Sequence, residues 1–489
     1  MMSTAYYKHK TGWILVLLPW LCVLAVTWVF VSGDSFWIDE GNTAYKASRA
    51  TLKAWFFAMH EVTGSDSQMP GFMLYAWAWE KLAGDSEFAL RLSNLPWLIL
   101  MVLAVRRFPY AVAAVLTSPF ILYYLNEFRP YMMQIAGAAL AITGLVNMQE
   151  NPARGWLVTL AGCLVMSASS LLGVLWSLGG LVYVLIEFPS CYRSRWFWNG
   201  IMGFGPFFAL LAVYYAWTIS QGQEPSLMGG GLFLSFGAAA YELLGLAGLG
   251  PSKIDLRVDP RSILAYAWII GPAATAIVGL VIWSLIHWIA STPRRQLAAA
   301  ACGIALPCLL LFSLVVFKDF RLLGRHLAPL SIVVALSIAH GARWFTGRDS
   351  IDITRQRLGL IACMLVMALG LAGGLSQRFA QRHRRDDYRT TVNLALQAIQ
   401  EHRSVIWGAD RWSAYFYGLD KEHTGWTPWR EPMELPVLAG NELVVLSKPD
   451  IFDPKSRLRN FLDERAFHPV RLLPAFVVYE CQKINPTPP

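Results

Sequence analysis

Three short clusters of charged residues stand out along the chain. The first is Trp37-Ile38-Asp39-Glu40-Gly41, just past a long apolar run near 13–31. A carboxylate beside a membrane is costly unless it is used or paired. Adjacent helical positions do not face the same way, so one acid of the pair can point into a cavity while the other is held elsewhere. A carboxylate facing a hydroxyl can serve as a general base, and Asp39 is the candidate. The bland alternative is that Asp39 caps a surface helix that follows it.

The second cluster is Asn126-Glu127-Phe128-Arg129-Pro130-Tyr131, a tight turn between two apolar runs. Glu127 and Arg129 are either an ordinary interfacial ion pair or an acid and a cation that share a site with Asp39. The third is Lys318-Asp319-Phe320-Arg321-Leu322-Leu323-Gly324-Arg325-His326. Arginine here runs against the cytoplasmic bias of basic residues. An anionic lipid phosphate would explain it, because arginine offers a forked, permanent charge; snorkelling to headgroups is the competing account. His326 by itself reads as structural.

The elements that must position these residues are membrane helices. Of 489 residues, 55% are hydrophobic and only 15% are charged, with a mean hydropathy of +0.42. Soluble domains carry roughly 25% charged residues. The 21 tryptophans and 18 tyrosines suit membrane interfaces. A net charge of +9 fits arginines at cytoplasmic helix ends better than a nucleic-acid partner. Most of the seven cysteines lie inside apolar runs, without metal or disulfide spacing. No glycosylation sequon with a permitted middle residue occurs, which favours a bacterial membrane.

A span needs roughly 20 mostly apolar residues. About eleven are expected, near 13–31, 88–105, 108–125, 131–147, 156–170, 171–188, 196–219, 262–290, 297–317, 327–345 and 358–376. The first follows Lys8 and Lys10 and reads as a retained anchor. With the N-terminus inside, the cytoplasmic turns carry Arg106-Arg107, Arg154, Arg193 with Arg195, Arg294-Arg295, and Arg343 through Arg357. The outer side then receives Asp34, Asp39, Glu40, Asp66, Asp85, Glu87, Glu127, Glu224, Asp255, Asp259 and Asp319.

Residues 1–376 therefore read as a membrane module with long outer loops at 32–87 and 220–261. In the first loop, Thr43 to His60 is amphipathic and should lie along the membrane surface. Residues 377–489 read as an outer α/β domain. Helices are expected at Asp386 to His402 and Ser456 to Glu464, with short buried strands at 405–407, 443–446 and 476–479.

Taken in order, these stretches resemble the glycosyltransferases that use polyprenyl-phosphate sugars as donors. These include the protein mannosyltransferases and lipid A aminoarabinose transferases of the GT-C fold, close to glycosyltransferase family 39. The match runs from Trp37-Ile38-Asp39-Glu40 through Pro70–Tyr75, Gly84–Ser93, Glu127–Tyr131 and Arg325-His326-Leu327-Ala328-Pro329, and Asp386-Asp387-Tyr388-Arg389 is also familiar. It covers the whole membrane part. The chain departs from the family at Gln68-Met69-Pro70, where members often have His-Pro-Pro.

The resemblance implies transfer of a sugar from a polyprenyl-phosphate carrier to a hydroxyl on the outer face, with inversion. Asp39 and Glu127 become the catalytic candidates. Glu40, Arg91, Arg129, Tyr131, Arg325 and His326 become substrate-binding candidates, with Arg129 and Arg325 stabilising the leaving phosphate and Glu40 bracing the loop. The acceptor is a glycan, lipid or protein hydroxyl, membrane lipid is a partner, and nucleic acid is not. No cofactor is fixed by the residues, and a divalent metal is left open. The expected location is the bacterial inner membrane, with the C-terminal domain outside. Competing readings are a glycan ligase or polymerase and a lipid-linked sugar transporter or flippase. A transporter would more often show paired halves with interrupted helices.

Overall fold

The computed structural model describes residues 13–61, 65–221, 232–346, 353–420 and 423–481. Lys8, Lys10, Glu224 with the rest of 222–231, and the centre of the Arg343–Arg357 turn lie outside the described residues.

The first expected span is α1 (Trp13–Phe30). The stretch from Thr43 to His60 is two helices rather than one: α2 (Ile38–Ala47) and α3 (Leu52–Glu61). The break has local causes. Ser48 closes α2, and the Thr51 hydroxyl accepts the Ala54 N–H at the start of α3. Next comes α4 (Pro70–Ala83), entered through a proline at its first turn.

The second expected span is built from α5 (Glu87–Leu92) and α6 (Leu95–Val105), with a turn at Ser93-Asn94. The third breaks into α7 (Ala111–Leu116) and α8 (Pro119–Leu125), where Ser118 caps and Pro119 restarts the helix. Single helices follow for most other spans: α9 (Tyr131–Asn147), α10 (Pro152–Ser169), α11 (Leu171–Glu187) and α12 (Arg195–Ser220). After them come α13 (Leu232–Leu243), α14 (Lys253–Val258), α15 (Ala267–Ser291), α16 (Arg294–Lys318), α17 (Leu330–Thr346) and α18 (Ile353–Phe379).

Among the described residues, five helical stretches are long and apolar enough to cross a membrane: 87–105, 195–220, 260–291, 294–318 and 356–379. Four shorter apolar helices accompany them. The protein is a multi-pass membrane protein.

Contacts divide the chain into two units. One holds the described residues up to Val31, with Asn94–Asn126 and Pro130–Phe379; the other holds Ser32–Ser93, Glu127–Arg129 and the described residues from Ala380 on. The helical unit has a continuous apolar core that includes Met101, Ile121, Ile135 and Ile332. Within it α9 and α10 touch backbone to backbone. A Cβ at Gly144 would meet the Thr159 amide, and one at Gly162 would meet that of Ala141. Small residues allow this close approach, which replaces the hydrophobic drive that lipid removes.

In the second unit α19 (Tyr388–Gln400), β1 (Val405–Gly408), α20 (Arg411–Phe416), β2 (Trp426–Pro428), β3 (Leu443–Ser447), α21 (Pro449–Phe452), α22 (Arg457–Glu464), β4 (Phe467–Leu473) and β5 (Phe476–Cys481) form an α/β sandwich. The sheet order is β2-β1-β3-β5-β4, parallel through the first three strands and antiparallel at β5 and β4. Alternation sends Val405, Trp407, Val445 and Val478 to one face, against α19 and α20. Ile406, Val444 and Leu446 face α22 on the other. Both faces are covered, so the strands read as continuous apolar runs. The expected α/β domain is present, with β2 and β4 as additional edge strands.

Candidate functional site

Asp39 occupies the second position of α2, and the N-cap position belongs to Trp37, which makes no side-chain cap. The sequence alternative, in which Asp39 caps the helix, is therefore not the geometry found. Asp39 is half-buried in the first helical turn, where a negative charge is favoured by the helix dipole. Glu40 points the other way and is fully buried, as adjacent helical positions require.

Glu40 is the centre of a charge network. Arg91 donates to it from Nε at 2.9 Å and from Nη2 at 2.7 Å. The Phe128 N–H donates at 2.8 Å and Arg385 Nη1 at 3.0 Å. Arg91 uses Nη1 on the carbonyls of Ser32 and Asp34, at 3.1 and 2.6 Å. This forked arginine–carboxylate pair is fully enclosed, and its remaining donors are spent on backbone carbonyls and the Ser32 hydroxyl, as a buried charge pair demands. Burial alone would raise the Glu40 carboxyl, but Arg91, Arg385 and the Phe128 amide hold it below the usual carboxylate range.

A second network lies on the same helix. Asp66, in a 3₁₀ turn at Ser65–Gln68, takes Lys46 Nζ at 2.7 Å, Arg129 Nη1 at 2.5 Å and the Thr43 hydroxyl at 3.0 Å. Arg129 also reaches the Thr43 hydroxyl at 2.6 Å, Ser65 at 3.0 Å and the Asp39 carbonyl at 3.3 Å. All three charged side chains are buried. Burial raises the Asp66 carboxyl, and Lys46 and Arg129 more than offset it, leaving it at about 2. Each of these two buried carboxylates thus carries two cations. The second unit brings four acids (Asp39, Glu40, Asp66, Glu127) together with four bases (Lys46, Arg91, Arg129, Arg385).

The structure therefore brings Asp39, Glu40, Arg91, Glu127 and Arg129 into one unit. Glu127 is buried. Tyr131, Arg325 and His326 belong to the helical unit. There the Arg325 guanidinium lies 6.0 Å from the centroid of the Tyr131 ring. His326 accepts the Leu323 N–H on Nδ1 at 3.1 Å, and its carbonyl accepts the Trp176 indole N–H at 3.1 Å. Its ring packs on Phe320 at 4.7 Å. Burial, with Arg325 beside it, holds the imidazole well below its usual range. These contacts suit the structural reading of His326.

The sequence reading left Asp66, Lys46 and Arg385 without roles. Asp66 was visible only as one outer acid among several. Lys46 had no signal beyond being a charge on an amphipathic helix. Arg385 stands immediately before the motif-like Asp386-Asp387-Tyr388-Arg389, which was the available hint. Among the described residues, no group of three or more His, Cys, Asp and Glu side chains is arranged to hold a metal ion.

The chain thus combines many membrane helices with a second, α/β-containing unit that also takes in the loop after the first helix. Among solved structures, the chain is similar to ArnT from Cupriavidus metallidurans bound to undecaprenyl phosphate. The two are 15% identical, the match covers 96% of this chain and 98% of that one, and the TM-score is 0.50. The apo state of the same ArnT matches at 14% identity over 95% and 97% of the two chains, with a TM-score of 0.47. Arabinofuranosyltransferase AftD from Mycobacteria matches at 13% identity over 95% of this chain and 39% of that one, with a TM-score of 0.42. No family model and no curated protein matches. The expected resemblance to GT-C proteins holds at the level of fold.

Proposed function

We propose that this chain is a membrane glycosyltransferase that moves a sugar from a polyprenyl-phosphate donor to a hydroxyl acceptor, with inversion. The observation that carries the reading is Asp39. It is a half-buried carboxylate in the first turn of α2, on backbone held by Arg129 and followed directly by the buried Glu40 network. A half-buried carboxylate on anchored backbone suits the role of a general base. The likeness in fold to an ArnT bound to undecaprenyl phosphate supports a donor of that class.

In the proposed step, an Asp39 oxygen takes the proton of the acceptor hydroxyl. The hydroxyl oxygen bonds to the anomeric carbon from the face opposite the phosphate. The bond from that carbon to the phosphate oxygen breaks, and its electron pair leaves with the polyprenyl phosphate. Positive charge stabilises that departure, and Arg325 is assigned to the lipid phosphate. Arg129, buried and bonded to Asp66, Thr43 and Ser65, is assigned to holding the Asp39 backbone. Glu127 is assigned to orienting the acceptor. The proposed reaction lies on the outer face of a bacterial inner membrane with the N-terminus inside, a reading supported by the short basic turns at Arg106-Arg107, Arg154 and Arg294-Arg295.

The test is transfer by the purified chain from labelled polyprenyl-phosphate sugars to an envelope glycan and lipid extract. Label should move from at least one such donor. Transfer from nucleotide sugars alone would overturn the proposal.

A further inference from the structure

Resting on the reading of Asp39 as the base, we propose that Tyr417 and Arg385 are positioning residues that set the aim of Asp39 through the backbone on either side of it. Tyr417 follows α20, and its hydroxyl is a junction for the peptide leading into α2. The Phe36 N–H donates to it at 2.8 Å and the Ser35 hydroxyl at 3.3 Å, while Tyr417 donates to Glu87 Oε1 at 3.1 Å. The Arg389 N–H reaches the same Ser35 hydroxyl at 3.0 Å. The residues entering α2 are thus anchored to the segment that follows Ala380, a few positions before Asp39.

On the other side of Asp39 the anchor is Arg385. Glu40 is already met by the forked Arg91 guanidinium and the Phe128 amide. Its charge is therefore compensated without Arg385. What Arg385 adds at 3.0 Å is a tether between the chain after Ala380 and the residue next to Asp39. The fit between α2 and α20 leaves little slack. The Ser413 hydroxyl donates to the Ile38 carbonyl at 3.2 Å, and a Cβ added to Gly41 would fall on the Ser413 side chain. Ile38 packs against both apolar clusters of the sheet domain. The α/β domain is in this way part of the mount of the base. A displacement of about 1 Å at a reacting group can cost on the order of 10²-fold in rate, so small losses at these anchors should be visible in turnover.

The experiment uses the purified full-length chain and the variants Tyr417→Phe, Arg385→Ala and Arg385→Lys. Tyr417→Phe keeps the ring that packs on Phe416 at 5.1 Å. Each loss variant should lower kcat roughly 10- to 100-fold, with donor KM close to wild type and the protein still folded, and Arg385→Lys should recover part of the loss. Wild-type kcat in both loss variants would overturn the role, provided Asp39→Asn abolishes transfer in the same assay. A raised donor KM with unchanged kcat would also overturn it and make these residues donor contacts. Amide hydrogen exchange needs no substrate: residues 36–47 should exchange faster in both variants, with 70–83 unchanged. Unaltered exchange would refute the tether. A wild type that transfers nothing, together with the altered exchange, would refute the function while leaving the tether in place.

Discussion

Asp66→Asn tests the physics of the mount apart from the chemistry. The Asp66 side chain is 4% exposed and Lys46 is 1% exposed. Arg129 is 2% exposed. Replacing the carboxylate with an amide leaves two cations buried without their counter-charge. Breaking a buried pair from one side costs about 3–5 kcal/mol. The ionisation linkage gives an independent figure. The carboxyl stands at about 2 against a reference of 3.8, which corresponds to about 2 kcal/mol. The linkage figure is the smaller because it counts only the preference for the charged form and omits the stranded cations. Since the folded value lies below the unfolded one, this stabilisation is complete above pH 3.8 and fades as pH falls toward about 2.

The assay is the melting midpoint of the purified protein in detergent, followed by tryptophan fluorescence at a fixed scan rate. A loss of about 3 kcal/mol should lower the midpoint by roughly 3 °C, at an unfolding entropy of about 2.1 cal/mol/K per residue. The Lys46→Met/Asp66→Asn double variant should be less destabilised than the sum of the single changes. An Asp66→Asn midpoint indistinguishable from wild type would show that the ion network does not hold the loop.

Two further outcomes follow from the geometry. Gly41→Ala should impair both folding and turnover, because the added Cβ meets Ser413; the Gly41→Ala/Ser413→Gly double variant should recover part of each, read as expression yield and transfer rate. Arg325→Ala should raise donor KM, while Arg325→Lys restores it only in part because the forked geometry is lost; unchanged KM in the alanine variant would favour headgroup snorkelling.

Hydropathy and the acidic pair made much of this legible. A charge deficit and long apolar runs mark membrane helices whatever their packing, and the Val405 and Leu443 strands are apolar on both faces. Two expected spans contain breaks that hydropathy does not see, at Ser93-Asn94 and at Ser118-Pro119, because these are local capping events within apolar sequence. The strands β2 and β4 escaped notice because each carries a proline on a sheet edge. Asp39 and Glu40 were recognisable from their place at the end of the first span. Their support was not: Arg91 is 51 positions from Glu40 and Arg385 is 345 away. Asp66 meets Arg129 across 63 positions. Such pairings exist only once the fold brings the segments together, so no spacing rule could have indicated them.

The central claim concerns one proton. Asp39→Asn keeps the size of the side chain and removes the proton acceptor. Asp39 is not the N-cap of α2, so the helix-dipole part of the cost should be only about 1 kcal/mol. The measurement is kcat for transfer from the polyprenyl-phosphate donor by folded Asp39→Asn protein, with donor binding measured separately. The account predicts a fall of about 10²- to 10⁴-fold with donor affinity intact. Near-normal kcat would contradict it and move the search for the base to Glu127.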